Sequence, residues 1–103
     1  MDDFSCIAGF DWDQGNERKS VDKHCVSRDE AEQVFFNQPL VVEDKVHSVT
    51  EARYHALGVT DDQRRLHITF TLRGGSTKIR VISARDMHKK ERRIYEQASQ
   101  EDS

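Results

Sequence analysis

The sequence predicts an α+β domain: a small antiparallel β-sheet with helices before it in the chain and one helix after it. Three observations carry this reading. Apolar and polar residues alternate from Leu66 to Arg85, broken at Gly74 and Gly75; Ser27 and Glu30 stand three apart ahead of a helical apolar pattern; and after Ala84 the period becomes helical. A chain of 103 residues is expected to form one domain over 1–103 with a single modest core.

In chain order, Ile7, Phe10 and Trp12 interleave with Gly9 and Asp11 as a short strand ending at Asp13. Asp13 is placed to cap a helix from Gln14 to about His24, which has little apolar content besides Val21 and so lies on the surface. The next helix is better marked. Ser27 and Glu30 form a capping box, Val26 and Ala31 a hydrophobic staple beside it, Ala31, Val34 and Phe35 a core stripe, and Pro39 ends the helix. Leu40–Glu43 reads as a strand, Asp44–Thr50 as a polar connection, Arg53–Val59 as a strand and Thr60–Gln63 as a turn. After the hairpin, Met87, Ile94, Tyr95 and Ala98 share one helical stripe, with Lys89, Lys90, Arg92 and Arg93 around the rest. The tail from Ser99 is polar and expected to fray.

The hairpin predicts its own pairing. With Gly74 and Gly75 as a two-residue loop, Arg73 lies opposite Ser76, Leu72 opposite Thr77, Thr71 opposite Lys78, Phe70 opposite Ile79, Thr69 opposite Arg80 and Ile68 opposite Val81. A slip of one residue would set Lys78 and Arg80 against the apolar face of Ile68 and Phe70. The other face then collects Thr69, Thr71, Arg73, Lys78 and Arg80. Such a set can hold a phosphate, since guanidinium groups bind it as a fork and hydroxyls donate to its oxygens. It also fits a solvated outer face, because antiparallel sheets commonly leave one side wet.

Charge divides along the chain. Residues 1–62 hold 14 acids and 6 bases, residues 63–94 hold 2 acids and 10 bases, and the last nine hold 3 acids. A basic half favours a polyanion locally while the acidic remainder limits indiscriminate binding, although segregation by chance also produces such a pattern. No apolar run approaches the ~20 residues of a membrane helix, and Asp2 and Asp3 stand where a signal peptide would be basic, so a cytoplasmic protein is expected. Cys6 and Cys25 are expected to be free thiols.

His24, His47, His55, His67, Cys6 and Cys25 lack the spacing of a zinc site, and Gly74 and Gly75 lead into no helix, so neither metal nor cofactor is expected. His47, Ser48 and Glu51 sit in the polar connection, where they either supply an acid or base or make local turn bonds. Trp12, Phe35, Phe36 and Phe70 are expected in the core.

The residues also match a known pattern. Phe10-Asp11-Trp12-Asp13, Lys23-His24, Val26-Ser27, Glu30-Ala31, Val34-Phe35, Pro39, His47-Ser48, Glu51, Arg53, Gly58, Thr71, Arg73, Ile79 to Arg85, and Glu91-Arg92 with Tyr95 together resemble the BrnT toxins of type II toxin–antitoxin modules, over about residues 10–96. Cys25 stands where a glycine is usual, Asn16 where a lysine is and Ser20 where an asparagine is. The resemblance implies a fold similar to the RelE ribonucleases, cleavage of RNA that inhibits translation, and neutralisation by a BrnA-like ribbon-helix-helix antitoxin that reaches operator DNA. For that chemistry Arg53, Arg73, Arg80 and Arg85, in or beside the sheet, suit the developing negative charge; His47 and Glu51 are the choice for proton transfer, with Lys23 and His24 as rivals; and Lys78, Thr69, Thr71, Lys23 and His24 are the choice for RNA. Two other classes stay open: a non-catalytic homologue that only assembles with antitoxin and operator, and direct DNA binding by the last helix, for which no helix-turn-helix pattern is visible.

Overall fold

The computed structural model describes residues 9–12, 25–46, 52–73 and 77–101, with side chains as far as Ala98. Its elements are β1 (Gly9–Phe10), α1 (Arg28–Phe36), β2 (Leu40–Asp44), β3 (Arg53–Val59), β4 (Arg65–Arg73), β5 (Lys78–Asp86) and α2 (Lys89–Glu101). The strands form one sheet in the order β1-β5-β4-β3-β2. Four of them are antiparallel neighbours, but β1 pairs parallel to β5 through Gly9–Lys78 and Phe10–Ile79, so the sheet is mixed rather than purely antiparallel. One helix, α1, is described before the hairpin. The expected helix from Gln14 to His24 and the turn glycines Gly74 and Gly75 lie outside the described residues.

Helix α1 starts where the capping box places it. Ser27 Oγ accepts the Glu30 N–H at 3.1 Å, and Glu30 Oε1 accepts the Ser27 N–H at 3.1 Å, satisfying two donors the helix leaves unpaired. Val26 and Ala31, the staple pair, are both buried. The helix stops at Phe36, one turn before Pro39, with the Asn37 N–H on the Gln33 and Val34 carbonyls. Burial works to raise the Glu30 carboxyl, but the Ser27 N–H and the Arg64 guanidinium hold it below the usual range. Arg64 thereby ties the start of α1 to the end of β5, with Nη1 on Glu30 and the Cys25 carbonyl and Nε 2.7 Å from Asp86.

The core lies between α1 and one face of the sheet. Ala31 and Val34 pack with Ala56, Leu66, Ile68, Phe70, Ile79, Val81 and Ala84. Phe70 is its centre: fully buried, stacked on Tyr54 across the β3–β4 pair at 5.4 Å and met edge-on by Phe35 at 5.0 Å. Trp12 and Phe35 pack against this cluster, as the sequence predicts, but Phe36 is 75% exposed. One residue along a helix turns the side chain about 100°, so Phe35 and Phe36 cannot both face the core. The last helix also begins later than its pattern implies, because β5 continues to Asp86; Met87 is buried ahead of the helix and Ile94 is 44% exposed.

The hairpin register differs from the expected one by two residues. Arg73 faces Lys78, Leu72 faces Ile79, Thr71 faces Arg80 and Phe70 faces Val81, with four residues between the strands and the Thr77 N–H on the Arg73 carbonyl at 3.0 Å. An apolar pattern rejects odd slips, which turn a strand over, and cannot distinguish even ones, which do not. Each of these side chains therefore keeps its expected face. A β-bulge follows: Thr69 faces Ser83, leaving Ile82 without an opposite residue, and from there Ile68 faces Ala84 and His67 faces Arg85.

Candidate functional site

The bulge decides what the outer face of the sheet carries. Uninterrupted alternation from Arg80 would turn Arg85 toward α1; one extra residue returns it to the side of Lys78 and Arg80. Pairing brings Arg53 of β3, His67, Thr69, Thr71 and Arg73 of β4, and Lys78, Arg80 and Arg85 of β5 to that same side, together with His55. Helix α2 covers one end of this face. Leu57 is buried there, Glu91 reaches His67 and Arg85, and Arg65 pairs with Glu96 at 3.0 Å.

Where α2 meets the face, four titratable side chains from four elements form a line. Asp44 Oδ2 lies 2.9 Å from His55 Nε2, His55 Nδ1 lies 2.8 Å from His67 Nε2, and His67 Nδ1 lies 2.7 Å from Glu91 Oε2. The imidazole rings meet edge to face with centroids 4.8 Å apart. Thr69 Oγ1 is 3.1 Å from His55 Nδ1. Arg85 grips Glu91 with both terminal nitrogens at 2.9 Å, and its Nη2 is also 2.9 Å from His67 Nδ1. Burial would raise the Glu91 carboxyl, but Arg85, the His88 N–H and His67 together push it down to about 2. Burial also holds the His67 imidazolium below the ordinary histidine range, with Arg85 and His55 acting in the same sense against Glu91.

The arginines anticipated from the sequence are on this face, in different settings. Arg53 and Arg80 are half-buried, and Arg80 Nη1 lies 3.5 Å from Asp11, while Arg73 and Lys78 are exposed at the open end of the hairpin. Arg85 is engaged by Glu91. Thr71 is fully buried and its hydroxyl donates to the Ala52 carbonyl at 2.7 Å, which turns it to the backbone. Lys23, His24, His47 and Glu51 lie outside the described residues. Asp44 and Glu91, and the pairing of His55 with His67, are what sequence reasoning missed. The signal was present: folding the strands of Arg53–Val59 and Leu66–Arg73 about the Thr60–Gln63 turn sets His55 and His67 on one face, two positions out of step. Among the described residues no three His, Cys, Asp or Glu side chains are placed to hold a metal ion.

The family model described as "Ribonuclease toxin, BrnT, of type II toxin-antitoxin system" matches residues 12–91. Among solved structures, the chain is similar to the ribonuclease toxin BrnT of Brucella abortus, known at 1.1 Å resolution. The match has a TM-score of 0.62 and 22% identity and covers 79% of this chain and 97% of that one. No curated protein matches. At that identity the structural likeness supports the fold, and the family match extends over most of the chain. The chain belongs to the BrnT family of ribonuclease toxins of type II toxin–antitoxin systems.

Proposed function

We propose that this chain is an endoribonuclease that cleaves RNA without a metal ion, so inhibiting translation, and that a BrnA-like ribbon-helix-helix antitoxin neutralises it and carries the complex to operator DNA. One observation carries the reading: Arg53, Arg73, Lys78 and Arg80 share the sheet face opposite the core helix. Strand residues hold their charges in fixed relation, and guanidinium groups suit a phosphate whose oxygens gain charge as the chain breaks. The 2′-oxygen attacks the neighbouring phosphorus, the P–O5′ bond breaks, and the protein orients the backbone, stabilises the charge and moves two protons. Family membership and the surplus of bases over residues 63–94 support an RNA substrate, and the same surplus favours a partner that masks it.

Inducing the chain alone should arrest growth, and co-expressing the antitoxin should relieve the arrest. The purified toxin should cleave RNA with a chelator present, leaving 2′,3′-cyclic phosphate and 5′-hydroxyl ends. Harmless induction together with intact antitoxin binding would instead identify a non-catalytic assembly module.

A further inference from the structure

The Asp44–His55–His67–Glu91 line has more hydrogen-bond gaps than its neutral rings have protons. A neutral imidazole carries one N–H. The 2.9 Å contact to Asp44 needs a hydrogen on His55 Nε2, and the 2.7 Å contact to Glu91 needs one on His67 Nδ1. Those two assignments use both. His55 Nδ1 and His67 Nε2 then face each other lone pair to lone pair at 2.8 Å, which is repulsive unless a third proton lies between them. Arg85 offers a competing arrangement, by donating from Nη2 to His67 Nδ1. That would leave Glu91 Oε2 2.7 Å from an imidazole lone pair with no hydrogen between, while Arg85 already has both Glu91 oxygens as acceptors.

We propose that His55 and His67 hold one proton between them, with Asp44 and Glu91 anchoring the two outer nitrogens, and that RNA cleavage exchanges this proton through His55. The inference rests on the ribonuclease reading above and assigns its proton-transfer step. Among the described residues, the groups facing the pair are Asp44 from β2, Thr69 from β4, Arg85 from β5 and Glu91 from α2. Burial, Arg85 and His55 disfavour a cation on His67. His55 is also the ring substrate can reach, with a side chain 26% exposed against 13% for His67. Thr69 Oγ1, the third neighbour of Nδ1, is the outlet toward the arginines. The balance closes: the O2′–P bond forms as O2′ releases its proton to water, the P–O5′ bond breaks as the pair gives its proton to O5′, and the emptied nitrogen takes a proton back from that water, so the pair ends as it began. His55 is the catalytic residue, and His67, Asp44 and Glu91 position it.

Histidine-selective 15N NMR on the RNA-free protein tests the shared proton by itself. We expect both rings to report one common proton loss; two independent titrations, or two neutral rings at pH 6, overturn the proposal. In cleavage assays, His55→Gln should lower kcat by about 100-fold or more with KM within about twofold, the size general acid–base groups usually contribute. Asp44→Asn, which keeps the hydrogen-bonding shape, should shift the pH profile of kcat. Wild-type cleavage by His55→Gln, or an unmoved profile for Asp44→Asn, rejects the assignment. If the wild-type protein cleaves no RNA, the ribonuclease reading falls while the NMR result still decides whether the pair shares a proton.

Discussion

Gly58 lies under Val34 so closely that a Cβ on the glycine would sit 2.8 Å from Val34 Cγ1, and 3.2 Å from the Pro39 Cβ. This is where α1 crosses β3, and the absent side chain sets how near the helix can come. Gly58→Ala should lower stability by roughly 1–3 kcal/mol, because the backbone must open to admit one methyl group. In urea denaturation, Gly58→Ala combined with Val34→Ala should cost less than the two changes added together. Strict additivity would show that the two residues do not constrain each other.

Cys25 has φ of 55°, a left-handed backbone that L side chains rarely adopt. Its carbonyl is held by Arg64 at 2.8 Å, so the conformation is imposed from outside. Cys25→Gly should raise stability by roughly 0.5–1 kcal/mol, read from the shift of the denaturation midpoint. A lower midpoint would mean that the thiol contributes more than the backbone strain removes.

Arg80 stands mid-strand on the basic face, opposite Thr71. Arg80→Lys keeps the charge but loses the planar fork, and we expect it to abolish most RNA cleavage, as Arg80→Ala should, with antitoxin binding retained. A face acting through charge alone would accept lysine. Cleavage by Arg80→Lys at the wild-type rate would confine Arg80 to binding.

Glu91 stabilises the fold through a carboxyl held at about 2 against an ordinary 4.5. A depressed carboxylate gives its full stabilisation above pH 4.5 and loses it as pH falls toward 2. Glu91→Gln should therefore be less stable at pH 7, on the order of 2 kcal/mol, and should show a flatter decline through that acid window. Urea midpoints across a pH series measure both. His67, whose cation is disfavoured in the fold, adds its own loss as pH falls below the ordinary histidine range.

Local signals made most elements legible. The Ser27–Glu30 capping box and the strand over Arg53–Val59 stand where side-chain chemistry and alternation place them. The parity of the hairpin was legible because odd slips bury charge, while its even offset depends on a connection of four residues rather than two. The parallel seat of Gly9–Phe10 on β5 was beyond reach, since nothing within two residues specifies a partner so far along the chain. Of the cations on the basic face, Arg73, Lys78 and Arg80 could be read from one hairpin. The line from Asp44 to Glu91 draws on three strands and a helix, and its members come together only through tertiary packing.

The bulge at Ile82 gives β5 two reading frames, one from Lys78 to Val81 and another from Ser83 to Asp86. Arg85 keeps its place beside His67 only while the count between the frames stays odd. Loss or gain of a single residue there would exchange the burial of Ala84 and Arg85, swapping a fully buried methyl for a guanidinium beneath α1. The same change in the connection ahead of Lys78 can be absorbed before the strand begins. Length variation in this hairpin is thus tolerated at its tip and forbidden at its waist.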